Sequence, residues 1–296
     1  MNYSSDDQLL EALKARLEDH RNTIAKTGRL MVQLELLNKK LQESESLKSN
    51  FLSNIRNEIN NPLTVLLGFS KTLILDKELD RSQIEKIGNT IFRESFILQL
   101  QFQNIFQAAD LEAGDIVIDP ANIELPNFFK SVTENFKHLL DEKNQNCNMH
   151  SDIGDQHNFL TDPVKYHLII SNLLDNAIKF SSQNSYIDFV YRMINNKLVV
   201  SIQDQGPGID EVNHERIFDR FVQLDSGATK QYRGHGLGLS VVRELVRLLG
   251  GDIQVNSHLG GGTRVTVTIP QVYMETEVNV VSEDGNEELF TDSELF

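Results

Sequence analysis

Only one cysteine, Cys147, occurs in 296 residues. That excludes an intramolecular disulfide and any cysteine-based metal cluster. Basic residues are also scarce: 28 Lys and Arg stand against 43 Asp and Glu, for a formal net charge of −15. Nucleic acids and anionic membranes select basic surfaces, so neither is an expected partner. No stretch approaches the roughly 18 apolar residues of a membrane span, and the first residues contain no apolar signal core. A soluble, cytoplasmic chain without direct membrane insertion is the expectation. What is present is an ordinary 40% of hydrophobic residues, which argues against global disorder. The charge is uneven: from Gln271 onward there are eight acidic residues and no Lys or Arg. That tail, 271–296, is expected to be mostly disordered.

The first 56 residues read as helix. Leu9, Leu10, Leu13 and Leu17 recur at helical spacing, and Leu30, Leu34, Leu37 and Leu41 step by four, three and four. That stepping marks a coiled-coil seam, although any long amphipathic helix shares it. It falters at Ser44 and resumes at Leu47, Phe51 and Ile55, a stutter or a passage from stalk into bundle. Pro62 lies inside a pattern that continues through Leu63, Val65, Leu66, Phe69 and Leu73, and a kink is expected there. After a polar stretch at 76–81, a second helix carries Ile84, Ile87, Ile91, Leu98, Phe102, Ile105 and Ala109 on one stripe. It should end near Gly114. A lone hairpin cannot bury both stripes, so a homodimeric four-helix bundle is the economical solution.

Beyond Pro120 the character changes. Helical patches over 125–143 and 163–181 alternate with β-rich runs over 187–192, 198–203, 252–257 and 263–269. The last run reads Thr-Arg-Val-Thr-Val-Thr-Ile, whose alternation gives one buried and one solvated face. A sheet covered by helices on one side follows. The expected fold class is α+β, in four parts: a stalk (1–46), a helical hairpin (47–115), a two-layer α/β sandwich (116–270) and the acidic tail.

Four short segments of the second half form one constellation. In Asn172-Leu-Leu-Asp-Asn176-Ala-Ile-Lys179-Phe180, residues 172, 176 and 179 share roughly one helical face. Asn176 offers a hard amide oxygen suited to Mg2+, and Lys179 a point charge for phosphate. In Asp204-Gln-Gly206-Pro-Gly208 the carboxylate can accept from an exocyclic amine, while glycines let backbone approach a ligand. Gly234, Gly236 and Gly238 open a helix expected over 239–249, and bare N–H groups at a helix start suit a phosphate chain. Gly260-Gly-Gly262-Thr263 completes the set. Taken singly, these are also an exposed helix face, a turn with an incidental Asp, and a glycine-rich loop.

In this order the four resemble the ATP-binding Bergerat fold shared by histidine kinases, gyrase-type ATPases, Hsp90 and mismatch-repair ATPases. The resemblance implies ATP or ADP and Mg2+ as ligands, with Asn176 on the metal, Lys179 on the phosphates and Asp204 on the adenine amino group. It also places Asn172, Gly206, Gly208, Gly234, Gly236, Gly238, Leu239 and Thr263 around the nucleotide. The segment 222–233 resembles a mobile lid, with Lys230 and Arg233 as phosphate contacts or, equally, as solvated loop charges. Phe218 and Phe221 resemble an aromatic box and also suit plain core packing. Outside the kinase branch, a Glu four residues before the metal Asn activates the hydrolytic water. Here that position is Asn172, so rapid hydrolysis is disfavoured and the kinase branch preferred.

Upstream, Phe51-Leu-Ser-Asn-Ile-Arg-Asn57-Glu58-Ile-Asn-Asn61-Pro62-Leu63 resembles the dimerisation and phosphoacceptor helix of histidine kinases. Asp110-Leu-Glu-Ala-Gly114 resembles the end of the second family helix. The resemblance implies a homodimer and, as partners, another histidine kinase or the receiver domain of a response regulator. Asn57 stands where the family carries its phosphorylated histidine. Imidazole has a nucleophilic nitrogen at neutral pH, whereas a carboxamide nitrogen delocalises its lone pair into the carbonyl. Glu58 occupies the place of the candidate general base, Asn61 keeps a phosphatase-type spacing from it, and Asn60 replaces a usual basic residue. Neither His20 nor His138 is followed by Glu. Three readings stay open: a pseudokinase acting by conformation, a response-regulator phosphatase using Glu58 and Asn61, or an active kinase in which Asn57 is an engineered substitution. A coiled-coil scaffold with a dead nucleotide domain is the alternative of a different class.

Overall fold

A computed structural model describes residues 3–154, 157–223 and 236–272. One helix, α1 (Tyr3–Leu75), carries both the leucine seam and the Asn57 segment, and it is not interrupted at Pro62. The proline removes one helical hydrogen bond, and the helix of 73 residues continues on both sides of it. Leu30, Leu34, Leu37 and Leu41 are exposed in the single chain. Helix α2 (Arg81–Ala113) begins with a capping box: Asp80 accepts from the Gln83 amide at 2.8 Å, and Gln83 accepts from the Asp80 amide at 2.9 Å. It ends as expected at Gly114, in the left-handed conformation at φ 76°.

The apolar stripe expected on α2 is only part of its buried surface. Ile87 and Leu98 are buried, but Ile84 and Ala109 are exposed. A second ridge, Phe96, Leu100, Asn104 and Ala108, turns towards the C-terminal half, and its apolar members join that half's core. Steps of four residues are the ridges by which helices pack.

The C-terminal half runs β1 (Ala121–Glu124), α3 (Leu125–Asn135), α4 (Lys137–Glu142), β2 (Asn146–Ser151), β3 (Asn158–Thr161), α5 (Pro163–Phe180), β4 (Tyr186–Ile194), β5 (Lys197–Gln203), α6 (Gly238–Leu248), β6 (Asp252–Ser257) and β7 (Thr263–Pro270). Short 3-10 turns at Glu211–Asn213 and Arg216–Phe218 lie between β5 and α6. Among the described residues, five strands form one sheet in the order β2-β4-β5-β7-β6, with β2 parallel to β4 and the rest antiparallel. β1 and β3 form a separate antiparallel ribbon. All four expected strands are present. The three additional strands lack the sequence signal: β1 and β3 have four residues each, and β2 reads Asn-Cys-Asn-Met-His-Ser with a mostly exposed edge. The expected helix over 125–143 is two helices, parted at Phe136.

Alternation sorts the sheet as anticipated. Ile187, Phe189, Tyr191, Leu198, Val200, Ile202, Val267 and Ile269 point inward and pack with Phe129, Ile169, Leu173, Val242 and Leu245. Each such side chain contributes about 1.5–3 kcal/mol on burial. The opposite face, with His150, Val190, Arg192, Val199, Ser201 and Arg264, lines only an open concavity of about 440 Å³.

Candidate nucleotide site

Helix α5 carries Asn172, Asn176 and Lys179, and both its ends are anchored. At the N-terminus, Asp162 Oδ1 accepts from the amides of Val164 (3.1 Å) and Lys165 (3.0 Å), ahead of Pro163 in the first turn. Its Oδ2 accepts from Lys165 Nζ (2.6 Å) and the Asp119 amide (3.0 Å). Burial pushes the Asp162 carboxyl upward, but these donors outweigh it and hold the group below the ordinary carboxylate value. At the C-terminus, Lys143 Nζ donates to the carbonyls of Ile178 (2.8 Å), Lys179 (2.7 Å) and Ser181 (3.2 Å). A cation there satisfies the terminal carbonyls and the helix dipole together. Burial lowers the Lys143 pKa. Lys143 was not among the expected site residues, and no local pattern could have found it.

Asn176 is half-buried, one turn after Asn172, and its side-chain amide makes no hydrogen bond among the described residues. The described residues hold no group of three or more His, Cys, Asp or Glu able to bind a metal. The Asn176 side-chain oxygen is a hard donor of the kind that Mg2+ takes alongside substrate phosphates rather than in a protein cage. Lys179 is half-buried beside Phe180, with Nζ 5.2 Å from the ring centroid.

Asp204 follows β5 and is buried. Its Oδ1 accepts from the amides of Gly206 (2.8 Å) and Thr263 (3.1 Å), while Oδ2 has no partner among the described residues. Burial raises the carboxyl pKa, and the two N–H donors oppose it without cancelling it. One oxygen is thus fixed by the protein and the other is open to an exocyclic amine.

Glycine is required at several of these positions by the packing of the protein itself. Gly208 and Gly262 both have φ 74°, and a Cβ would strike the carbonyl oxygen of His258 in the first case and of Asp204 in the second. At Gly206 it would lie 2.9 Å from the Phe180 carbonyl. Three bonds lock the two boxes together: Gly260 amide to Pro207 carbonyl (2.7 Å), Ile209 amide to Ser257 Oγ (2.8 Å) and Ser257 Oγ to Gly262 carbonyl (2.8 Å). Thr263 is buried within this junction.

Helix α6 starts at Gly238, one residue earlier than expected, and no side chain caps its first turn. Gly236 sits at φ 71°, where a Cβ would lie 2.8 Å from the Val222 carbonyl, and Leu239 packs on the core. Phe218 is buried and Phe221 packs against the core, as the plain reading of the aromatic pair has it. Gly234, Lys230 and Arg233 lie outside the described residues, as does the acidic tail beyond 272.

Asn172 has partners within the protein. It is 4% exposed and pairs reciprocally with Asn104 of α2: Asn104 Nδ2 donates to Asn172 Oδ1 (2.7 Å), and Asn172 Nδ2 donates to Asn104 Oδ1 (2.8 Å) and the Leu168 carbonyl (2.9 Å). On α1, Asn57 and Asn61 are exposed one turn apart, and the Glu58 side chain lies outside those described. His138 packs edge-on against Phe92 and Phe96 of α2, with ring centroids 5.0 and 5.1 Å away, a packing role unlike a phosphoacceptor's.

Two family models match this arrangement. Residues 47–114 match the His Kinase A (phospho-acceptor) domain, and residues 161–273 match the histidine kinase-, DNA gyrase B- and HSP90-like ATPase. The chain belongs to the histidine kinase family. Its relationship is with the two-domain catalytic core of two-component sensor kinases. The histidine kinase BarA of Escherichia coli (strain K12) is 33% identical over 252 residues, 83% of this chain and 27% of BarA. The chain therefore spans about a quarter of the length of the curated relatives it matches. Among solved structures, the histidine kinase ShkA in complex with AMPPNP has a TM-score of 0.53 at 24% identity, over 75% of this chain and 46% of ShkA. The histidine kinase ThkA in complex with the response regulator TrrA has a TM-score of 0.50 at 25% identity, over 78% of this chain and 64% of ThkA. No helix among the described residues of this kinase-family chain is long and apolar enough to cross a membrane.

Proposed function

We propose that this histidine-kinase-family chain is a cytoplasmic pseudokinase, which binds Mg-ATP or Mg-ADP and signals by conformation without phosphorylating residue 57. The observation that carries the reading is the contrast between two sites. Asp204 Oδ2 and the Asn176 amide are open to a ligand, whereas Asn57 offers no nucleophile on the exposed face of α1. Asp204 reads the adenine amine, Asn176 holds Mg2+, and the first turn of α6 receives phosphate oxygens. The metal supplies charge neutralisation at the phosphates. With Asn172 in place of a general base, ATP turnover is slow. The chain acts as a homodimer: Leu63, Leu67, Ile74 and Leu75 on α1 and Phe106 on α2 are exposed in the single chain, and a second copy would cover them. Its partners are a second histidine kinase or the receiver domain of a response regulator.

The test pairs calorimetry with labelling. Mg-ADP should bind, and radiolabelled ATP should leave no acid-labile, base-stable phosphoryl group on the protein. Labelling of the unmodified chain, lost on mutating another histidine such as His20, would overturn the reading. The exposure of Asn57 and Asn61 one turn apart favours one second reading, a phosphatase whose amides orient water at a phosphorylated receiver domain. Accelerated dephosphorylation that disappears in Asn61→Ala would select it.

A further inference from the structure

Asn104 is the one polar member of the α2 ridge formed with Phe96, Leu100 and Ala108. It meets a buried polar partner, Asn172, through two hydrogen bonds of 2.7 and 2.8 Å. The Asn172 donors are both taken, one by Asn104 and one by the Leu168 carbonyl. Asn172 also abuts the start of α6, since a Cβ on Gly238 would come 2.8 Å from its Oδ1. A single side chain of α2 therefore reaches the junction of the Asn-bearing helix and the glycine turn. These are the two elements that face the phosphate end of the proposed nucleotide site.

We propose that Asn104 is a positioning residue that withholds the Asn172 amide from bound nucleotide, so that docking of α2 and occupancy of the phosphate end compete. The inference rests on the nucleotide reading above. While α2 is docked, Asn172 has no free donor. When α2 leaves, a buried amide loses its partner and must find another, and a phosphate oxygen presented between Asn172 and the first turn of α6 is the acceptor at hand. A ligand that prefers the undocked state draws the protein towards it, and by reciprocity anything that weakens docking strengthens the ligand. The sign is therefore opposite to that of an ordinary support residue, whose removal would weaken binding.

The experiment uses the full chain and Mg-AMPPNP, a non-hydrolysable ATP analogue, titrated by calorimetry at constant ionic strength. Asn104→Ala and Asn104→Leu each leave Asn172 unpaired in the docked state. Both should bind at least about fivefold tighter than the unmodified chain, the lower end of typical coupling between linked sites. Ala108→Glu loosens the same ridge without touching Asn172 and should act in the same direction, which keeps the test standing if the Asn104 variants fail to fold. Spin labels at Gln103→Cys and Lys197→Cys, in a Cys147→Ser background, should move apart on adding the analogue. Equal or weaker binding by the folded variants, or an unchanged label distance at saturation, overturns the competition. Failure of the unmodified chain to bind any nucleotide overturns the functional reading and the coupling with it, whereas normal binding that the variants leave unchanged overturns the coupling alone.

Discussion

The Thr263 amide donates to Asp204 Oδ1 over 3.1 Å, joining two glycine boxes that lie 59 residues apart in the chain. The Asp204 amide returns the contact to the Thr263 carbonyl at 2.9 Å. This two-way bond orients the carboxylate before any ligand arrives, because one oxygen is held and only the other can turn outward. Preorganisation of this kind removes part of the ordering cost of binding.

Asp204→Asn should therefore bind Mg-ADP about tenfold or more weakly, the loss typical of a hydrogen bond to a charged group. With its amide oxygen kept on the Gly206 and Thr263 amides, the variant presents an NH2 group to the adenine amine, donor against donor. The fold should survive, since both backbone bonds persist. Calorimetry supplies the affinity and a thermal melt supplies the control; equal affinities would remove Asp204 from the adenine role.

Asn57→His should restore at least partial phosphoryl labelling from radiolabelled ATP. The position is exposed on α1, so an imidazole fits without repacking. The group should be acid-labile and base-stable, as expected of a phosphoramidate. A labelled variant shows that the rest of the machinery is intact. A variant that stays unlabelled while binding nucleotide points to deeper divergence, with Asn60 or the domain geometry also altered.

Gly262→Ala and Gly114→Ala make a controlled pair. Both glycines have φ in the left-handed region, 74° and 76°, but only Gly262 has backbone where a Cβ would go. Gly114→Ala should lose about 1 kcal/mol from conformational strain alone. Gly262→Ala should lose at least about 1 kcal/mol more, because the Asp204 carbonyl must move. Urea unfolding distinguishes them, and equal losses would show that the turn relaxes freely.

Acid should loosen the contact between α2 and α4. Burial lowers the His138 pKa below the ordinary 6.5, assisted by Arg93 and opposed by the Asn135 carbonyl, Glu142 and Asp141. Its Nε2 has no hydrogen-bond partner among the described residues. A histidine depressed in the folded state binds fewer protons there than when unfolded. Its contribution is complete above 6.5 and declines as pH falls from there through the folded pKa. Unfolding midpoints from about pH 8 to about pH 5, the range in which histidine titrates, should fall less steeply in His138→Phe. His167 is also lowered by burial and adds a slope of the same sign, so the comparison between the two proteins is what decides. Identical slopes would dismiss the effect.

Local chemistry was legible in the sequence. Gly114 marked the end of α2; the Thr-Arg-Val-Thr-Val-Thr-Ile run specified β7 and its buried face; and the order of the Asn-bearing helix and the glycine boxes identified the family. The missing nucleophile at Asn57 is likewise a property of the residue type. Each of these depends on a few neighbouring residues, and helical or strand periodicity reports them directly. The tertiary structure decided what each exposed or buried face meets. Periodicity indicates that a face is buried but does not name its partner, so the ridge of α2 through Asn104, which packs on the C-terminal half, lies outside the stripe that the spacing marks. The same limit hides the pairing of Asn172 with a residue 68 positions away. It explains why Lys143 capping α5 was invisible, and why the interlocking of two glycine turns is written in neither of them. Bonds between distant segments arise only when the chain is folded, and no local pattern encodes which pair will meet.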